Sequence, residues 1–239
     1  MRLHQINNLI RMVFVVVIAI FLGQVTAEAA TISGQVSFEG EASTPQPINF
    51  GAERQCATVH GDHMPTDESL VVNDNHTVKW VLVHVKEGLT ETYDVPTEKV
   101  EIDQVGCIFK PHVTAAQVNQ TVVIKNGDAV LHNVRSVSTA NKPFNIAQPI
   151  QGMTTKRQFS EPEIGIELKC DVHFWMKSYL HILNHPFYAI TGDDGKFTIA
   201  DLPEGTYTLE AWHEKLGTQT AEVTVGGEEN KTISFSFSS

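Results

Sequence analysis

Ile164-Gly165-Ile166-Glu167-Leu168-Lys169-Cys170-Asp171-Val172-His173-Phe174-Trp175-Met176 reads as a strand running into a short loop rich in metal-binding side chains. Ile164, Ile166, Leu168 and Cys170 share one parity, and residues two apart on a strand face the same way. The strand therefore aims the Cys170 sulfur at the apolar side. A tight loop then brings His173 and Met176 back toward the same point. Upstream, Val130-Leu131-His132-Asn133-Val134 offers a second imidazole, because His132 shares the inward parity of Val130 and Val134.

The same alternation recurs along the chain. Ile32, Gly34, Val36 and Phe38 share a parity, as do Val81, Val83 and Val85, Tyr207, Leu209 and Ala211, and Ile233, Phe235 and Phe237. Asp194-Gly195 and Pro203-Glu204-Gly205 punctuate these runs as turns. Many short strands between turn signals, with little helical periodicity, indicate an all-β chain of sandwiches.

The ends have other characters. Arg2 and Arg11 precede the apolar run Met12–Gly23, and Ala27-Glu28-Ala29 supplies a small-x-small cleavage pattern, so residues 1–29 read as a signal peptide. The run is shorter than the roughly 18–20 residues that span a bilayer. The expected location is therefore periplasmic or secreted, without stable membrane insertion. The formal net charge of −11 repels phosphate backbones and anionic lipid, which excludes nucleic acid as a partner and favours basic proteins.

Two neutral imidazoles, a thiolate and a weak thioether form the donor set that suits blue copper. His132, Cys170, His173 and Met176 are thus the expected ligands of one copper ion. Zinc fits the set less well, since thioether is a poor zinc ligand. Phe174 and Trp175 are expected to keep water from His173 while leaving one imidazole edge near the surface as an electron exit.

The segment from Val100 to about Leu183 resembles the cupredoxin (plastocyanin/azurin-like) family, and its Cys-x2-His-x2-Met loop looks most like amicyanin. The resemblance rests on Phe109-Lys110-Pro111, Thr121–Lys125, Asn126-Gly127-Asp128, His132-Asn133-Val134 and the Cys170–Met176 loop. It implies a Greek-key sandwich over 98–184, type 1 copper, and a role for Asn133 in tying the two ligand loops together by hydrogen bonding. Phe174 departs from the pattern, since Pro or Gly often follows the second histidine. Tyr188–Trp212 is similar to the second half of a carboxypeptidase regulatory-like (transthyretin-like) module, and Ile32–Val36 with Lys79–Leu89 to its first half. Residues 30–97 and 185–239 are accordingly expected to form one discontinuous Ig/transthyretin-like sandwich around the cupredoxin, because a tail of about 55 residues buries too little core alone.

Cys56 and Cys107 remain. They either bridge, as paired thiols of exported proteins do, or Cys56 joins His60, His63 or His112 in a second metal site. His112 is otherwise expected at the surface, and His181, His185 and His213 in hydrogen-bonded or solvated roles. The function expected is that of a non-enzymatic one-electron carrier between redox proteins, possible partners being basic and cytochrome-like. Two alternatives stand beside it: copper handling, favoured by the histidine-bearing loop Cys56–His76, and an envelope or carbohydrate binding module with structural copper.

Overall fold

The computed structural model describes residues 29–238. The signal peptide expected over residues 1–29 lies, apart from Ala29, outside them. Among the described residues no helix is long and apolar enough to cross a membrane. The chain is all-β, as its alternating runs predict. In order come β1 (Ala30–Glu39), helix α1 (Arg54–His60) and β2 (Leu82–Glu87). The middle holds β3 (Val100–Gln104), β4 (Phe109–Lys110), β5 (Val113–Gln117), β6 (Val122–Asn126), β7 (His132–Val137), β8 (Asn145–Gln148), β9 (Thr154–Arg157), β10 (Glu163–Lys169) and β11 (Lys177–Leu183). The end holds β12 (Tyr188–Ile190), β13 (Lys196–Leu202), β14 (Gly205–His213), β15 (Gly217–Val225), β16 (Asn230–Thr232) and β17 (Phe235–Ser238).

Middle strands form two sheets, ordered β5-β11-β10-β7-β8 and β4-β3-β6-β9. The pairings β5–β11 and β3–β6 are parallel, the rest antiparallel. Strands from both ends of the chain share the other two sheets, β12-β2-β14-β15 and β13-β1-β16, with β17 continuing beside β1. Gly34 is required where β16 passes to β17 over β1, because a Cβ there would fall 1.6 Å from the Ile233 carbonyl oxygen.

Each sheet pair encloses its own apolar cluster. One gathers Ile32, Val36, Val83, Val85, Leu209 and Phe235. The other gathers Ile102, Ile124, Val134, Leu168, Leu180 and Cys170. Alternation explains both, since Tyr207, Leu209 and Ala211 point one way along β14 while Trp212 points the other. That opposite face is not solvated. Leu82, Ala115, Ile164, Leu183 and Trp212 form a third cluster joining β2 and β14 to β5 and β11. β2 is therefore buried through Leu82-Val83-His84-Val85, as in a strand covered on both faces.

Two expectations meet differences. The parity of Ile164 with Ile166 is broken by a register shift at Gly165, whose φ is 78°. Ile164 thus packs in the joining cluster, while Ile166 and Leu168 pack in the middle core. Residues 30–97 also do not all serve the outer sandwich, since Phe50 and Cys56, between β1 and β2, are buried in the middle core.

The joining region carries neutral histidines. His181, His185 and His213 are all buried. Each uses Nδ1 to accept backbone N–H groups, from Gly165, Phe187, and Lys215 with Leu216 respectively. Protonation would place a second hydrogen against those donors inside an apolar setting. Burial accordingly holds the three down, at about 3, 4 and 4 against 6.5 for a free imidazole. Because the unfolded chain binds these protons first, the stability from neutral histidines is whole above pH 6.5 and drains away as pH falls toward 4. Each group would cost on the order of 3 kcal/mol at pH 4. Urea midpoints measured at pH 7, 5.5 and 4 should fall steeply, and a flat profile would contradict the burial argument.

Candidate metal centre

His132 opens β7, and Cys170 follows the end of β10, two strands paired in one sheet. After Cys170 the chain closes on itself. Met176 N–H donates to the His173 carbonyl at 2.9 Å, and Cys170 N–H donates to the Met176 carbonyl at 3.3 Å. His173 N–H points at the Cys170 sulfur at 3.4 Å. The loop thereby returns His173 beside His132, with their Nδ1 atoms 2.9 Å apart and the Cys170 sulfur 3.9 Å from His173 Nδ1. One donor atom each from His132, Cys170 and His173 lies within 4.8 Å of the others. All three side chains are buried, and Met176 is 1 % exposed.

This spacing tests what the pocket fits. Donors bonded to one ion at about 2.0–2.3 Å lie roughly 3–4 Å apart, close to the 2.9 and 3.9 Å that separate His173 Nδ1 from its two neighbours. The two Nδ1 atoms face each other in one buried pocket. The protonation preferences diverge accordingly. Burial pushes His132 down but hydrogen bonds to Asp128 and Cys170 outweigh it, so it is raised. Burial and the neighbouring His132 charge lower His173. Burial would raise the Cys170 thiol, yet His132 and surrounding N–H groups bring it below its usual value. The pocket thus shifts the Cys170 thiol toward its thiolate and His132 toward its charged form, the direction a soft metal cation would also favour at the sulfur.

Asp128 supports this from behind, a role that sequence reasoning missed. Its carboxylate accepts N–H bonds from Gly106 and Cys107 at 2.7 Å each and from His132 Nε2 at 2.9 Å. That leaves His132 Nδ1 facing the donor cluster, the carboxylate–histidine arrangement common behind metal ligands. Spacing gave a faint signal, since Asp128 precedes His132 by four residues in a turn rather than a helix. Asn133 links the two ligand segments. Its Oδ1 accepts Asp171 N–H at 2.6 Å, and its Nδ2 donates to Asn145 Oδ1 at 2.7 Å.

Cys56 and Cys107 are disulfide-bonded. The bond lies against the donor cluster, with the Cys56 sulfur 3.8 Å from His173 Nε2. Helix α1 is held over the loop by this bond, by His60 Nε2 against the Gly106 carbonyl at 2.7 Å, and by Phe50. Phe50 stacks on His60 and meets Trp175 edge-on, with ring centroids 5.3 and 5.2 Å apart. Trp175 Nε1 donates to the Cys107 carbonyl.

The expected exposed imidazole edge is therefore absent. His173 is 2 % exposed, because α1 and the disulfide cover the side that would face solvent. Trp175 shields His173, with rings 5.2 Å apart, whereas Phe174 is 78 % exposed and shields little. His60 is occupied by Gly106 and Phe50, and His63 and His76 are exposed away from any cluster. His112 is not at the surface but buried against the Glu214 carboxylate.

Residues 171–233 match a family model described as polysaccharide lyase family 4, domain II. This match covers the tail whose sequence suggests a carboxypeptidase regulatory-like module, and its description is a different one. No curated protein matches the chain. Among solved structures, the chain is similar to a copper-containing nitrite reductase from Thermus scotoductus SA-01, at 22 % identity and a TM-score of 0.34 over 43 % of this chain and 25 % of that one. It is also similar to a purple cupredoxin from Nitrosopumilus maritimus, at 21 % identity and a TM-score of 0.31 over 35 % and 98 %. An oxidised amicyanin variant is similar at 15 % identity and a TM-score of 0.32 over 42 % and 97 %. The chain thus spans only a quarter of the nitrite reductase.

Replacing Asn133 by Ala should leave the Asp171 N–H without its acceptor and loosen β7 from the ligand loop. A loss of about 1–3 kcal/mol is expected, read from urea denaturation of the metal-free protein. An unchanged midpoint would mean that the Arg135–Asp171 ion pair, 3.0 Å long, holds the loop without it.

Proposed function

We propose that this chain binds one copper ion through His132, Cys170, His173 and Met176 and serves outside the cytoplasm as a non-enzymatic one-electron carrier. The observation that carries this reading is the convergence of two imidazole Nδ1 atoms and one thiol in a single buried pocket. Bound copper would supply a couple between Cu(I) and Cu(II) at a soft N,N,S set with a weak thioether. The residues of the chain do the remaining work. Asp128 fixes the His132 ring, two backbone hydrogen bonds fix the loop, and Asn133 fixes one to the other. Such a held donor set changes little between oxidation states. Four protein donors leave no open position for a substrate, which argues against an enzyme. Net negative charge favours basic redox proteins as partners.

One observation favours a second reading, copper handling. With His173 covered by the disulfide and α1, the site lacks the bare imidazole edge that rapid electron exchange would use. For a binding module for carbohydrate or cell envelope, the support is the match of residues 171–233 to a polysaccharide lyase domain model.

Purified protein given Cu(II) should take up one equivalent and develop an intense visible thiolate-to-copper band, which Cys170→Ser abolishes. A colourless one-equivalent complex would sink the blue-copper reading. Asp128→Asn should weaken copper binding by about 10–100-fold, measured by competition with a chelator. Reversible one-electron voltammetry would support the carrier. Transfer of copper to an acceptor without a reversible wave would favour handling.

A further inference from the structure

The His173 imidazole has two nitrogens in two different surroundings. Nδ1 faces His132 and Cys170, while the contact recorded for Nε2 is the Cys56 sulfur at 3.8 Å. A disulfide sulfur is a weak partner for a buried imidazole N–H. Cys56, Cys107 and His173 each place one donor atom within 4.8 Å of the others, and all three are buried. Two sulfurs and an imidazole nitrogen form a soft donor set of the kind that selects Cu(I). The Cys56 and Cys107 Cα atoms are 5.6 Å apart, so both sulfurs could reach one ion at about 2.3 Å without large backbone movement.

We propose that reduction of the Cys56–Cys107 disulfide opens a second binding site, for Cu(I), formed by Cys56, Cys107 and His173 Nε2. The reductant is a dithiol. Its two thiols give two electrons and two protons to the Cys56–Cys107 bond, which breaks into two thiols while the dithiol closes to its own disulfide. Cu(I) then binds the two sulfurs as thiolates and replaces the proton on His173 Nε2, which makes the ring a bridging imidazolate when Nδ1 holds the first ion; all three displaced protons pass to solvent. A cavity of about 380 Å³ lined by Arg54, Gln55, Thr58, Val59, Cys107 and Asp128 lies beside the bond, whose two cysteines are buried. The two sites share one ring, so the disulfide sets how many copper ions the protein holds. This goes beyond the single-copper reading and does not depend on whether the first ion carries electrons.

The test is Cu(I) stoichiometry under nitrogen, by competition with a chromophoric Cu(I) chelator, on full-length protein before and after treatment with a small dithiol that is then removed. One equivalent is expected for the oxidised protein and two for the reduced protein. Cys56→Ser/Cys107→Ser should bind one equivalent under both conditions. Cys170→Ser separates the sites, because it disables the first and should still gain one equivalent on reduction. Near-UV circular dichroism checks that the reduced protein remains folded. Equal stoichiometry before and after reduction, a second equivalent in the double serine variant, or unfolding on reduction would each overturn the proposal.

Discussion

Two buried imidazoles with Nδ1 atoms 2.9 Å apart do not stay so placed by themselves. Each nitrogen loses water on burial, and only one proton fits between them. The surrounding structure supplies what holds them. Asp128 takes the far side of His132 and is itself fixed by N–H groups of Gly106 and Cys107. Gly106 and Cys107 both have positive φ, 68° and 54°, which lets successive N–H groups face one carboxylate. A Cβ on Gly106 would also fall 2.8 Å from the His60 ring. The same two residues thus position Asp128, receive α1 and carry one end of the disulfide.

Much of the centre was legible because it follows strand parity. Cys170 and His132 point inward for the reason that Leu168 and Val134 do, and that rule is local. What escaped was set by long-range packing. Asp128 becomes a support for His132 only because the Gly106–Cys107 turn, more than twenty residues upstream, folds against it. The bulge at Gly165 diverts Ile164 into a different cluster, and no periodicity announces a bulge. His112 meets Glu214 across 102 residues, so reading either segment alone leaves both looking solvated.

The fold class was legible for a related reason, while the way the sheets meet was not. Alternation marks a strand with one buried face, yet Leu82-Val83-His84-Val85 is buried throughout. That continuity reflects the joining cluster, where Trp212 and Leu82 from one pair of sheets meet Ala115 and Leu183 from the other. His181 packs there against Trp212, with ring centroids 4.6 Å apart. Its Nδ1 accepts the N–H that the Gly165 bulge frees, while its Nε2 is buried without a partner.

The cover over His173 is the least self-sufficient part of the structure. Helix α1 has seven residues and no side-chain N-cap bond, far below the length at which a helix persists without packing. It is held because Phe50 stacks on His60 at its C-terminal end and Cys56 anchors it to Cys107. A cross-link spanning 51 residues removes on the order of 4 kcal/mol of chain entropy from the unfolded state, while in the folded state the His60 bond and the Phe50 contacts with His60 and Trp175 hold the helix in place. The covalent bond and the burial of Phe50 therefore act together to hold the cover over His173. The cross-link reaches the donor cluster by two routes, through the Cys56 sulfur beside His173 and through the Cys107 N–H that fixes Asp128 behind His132.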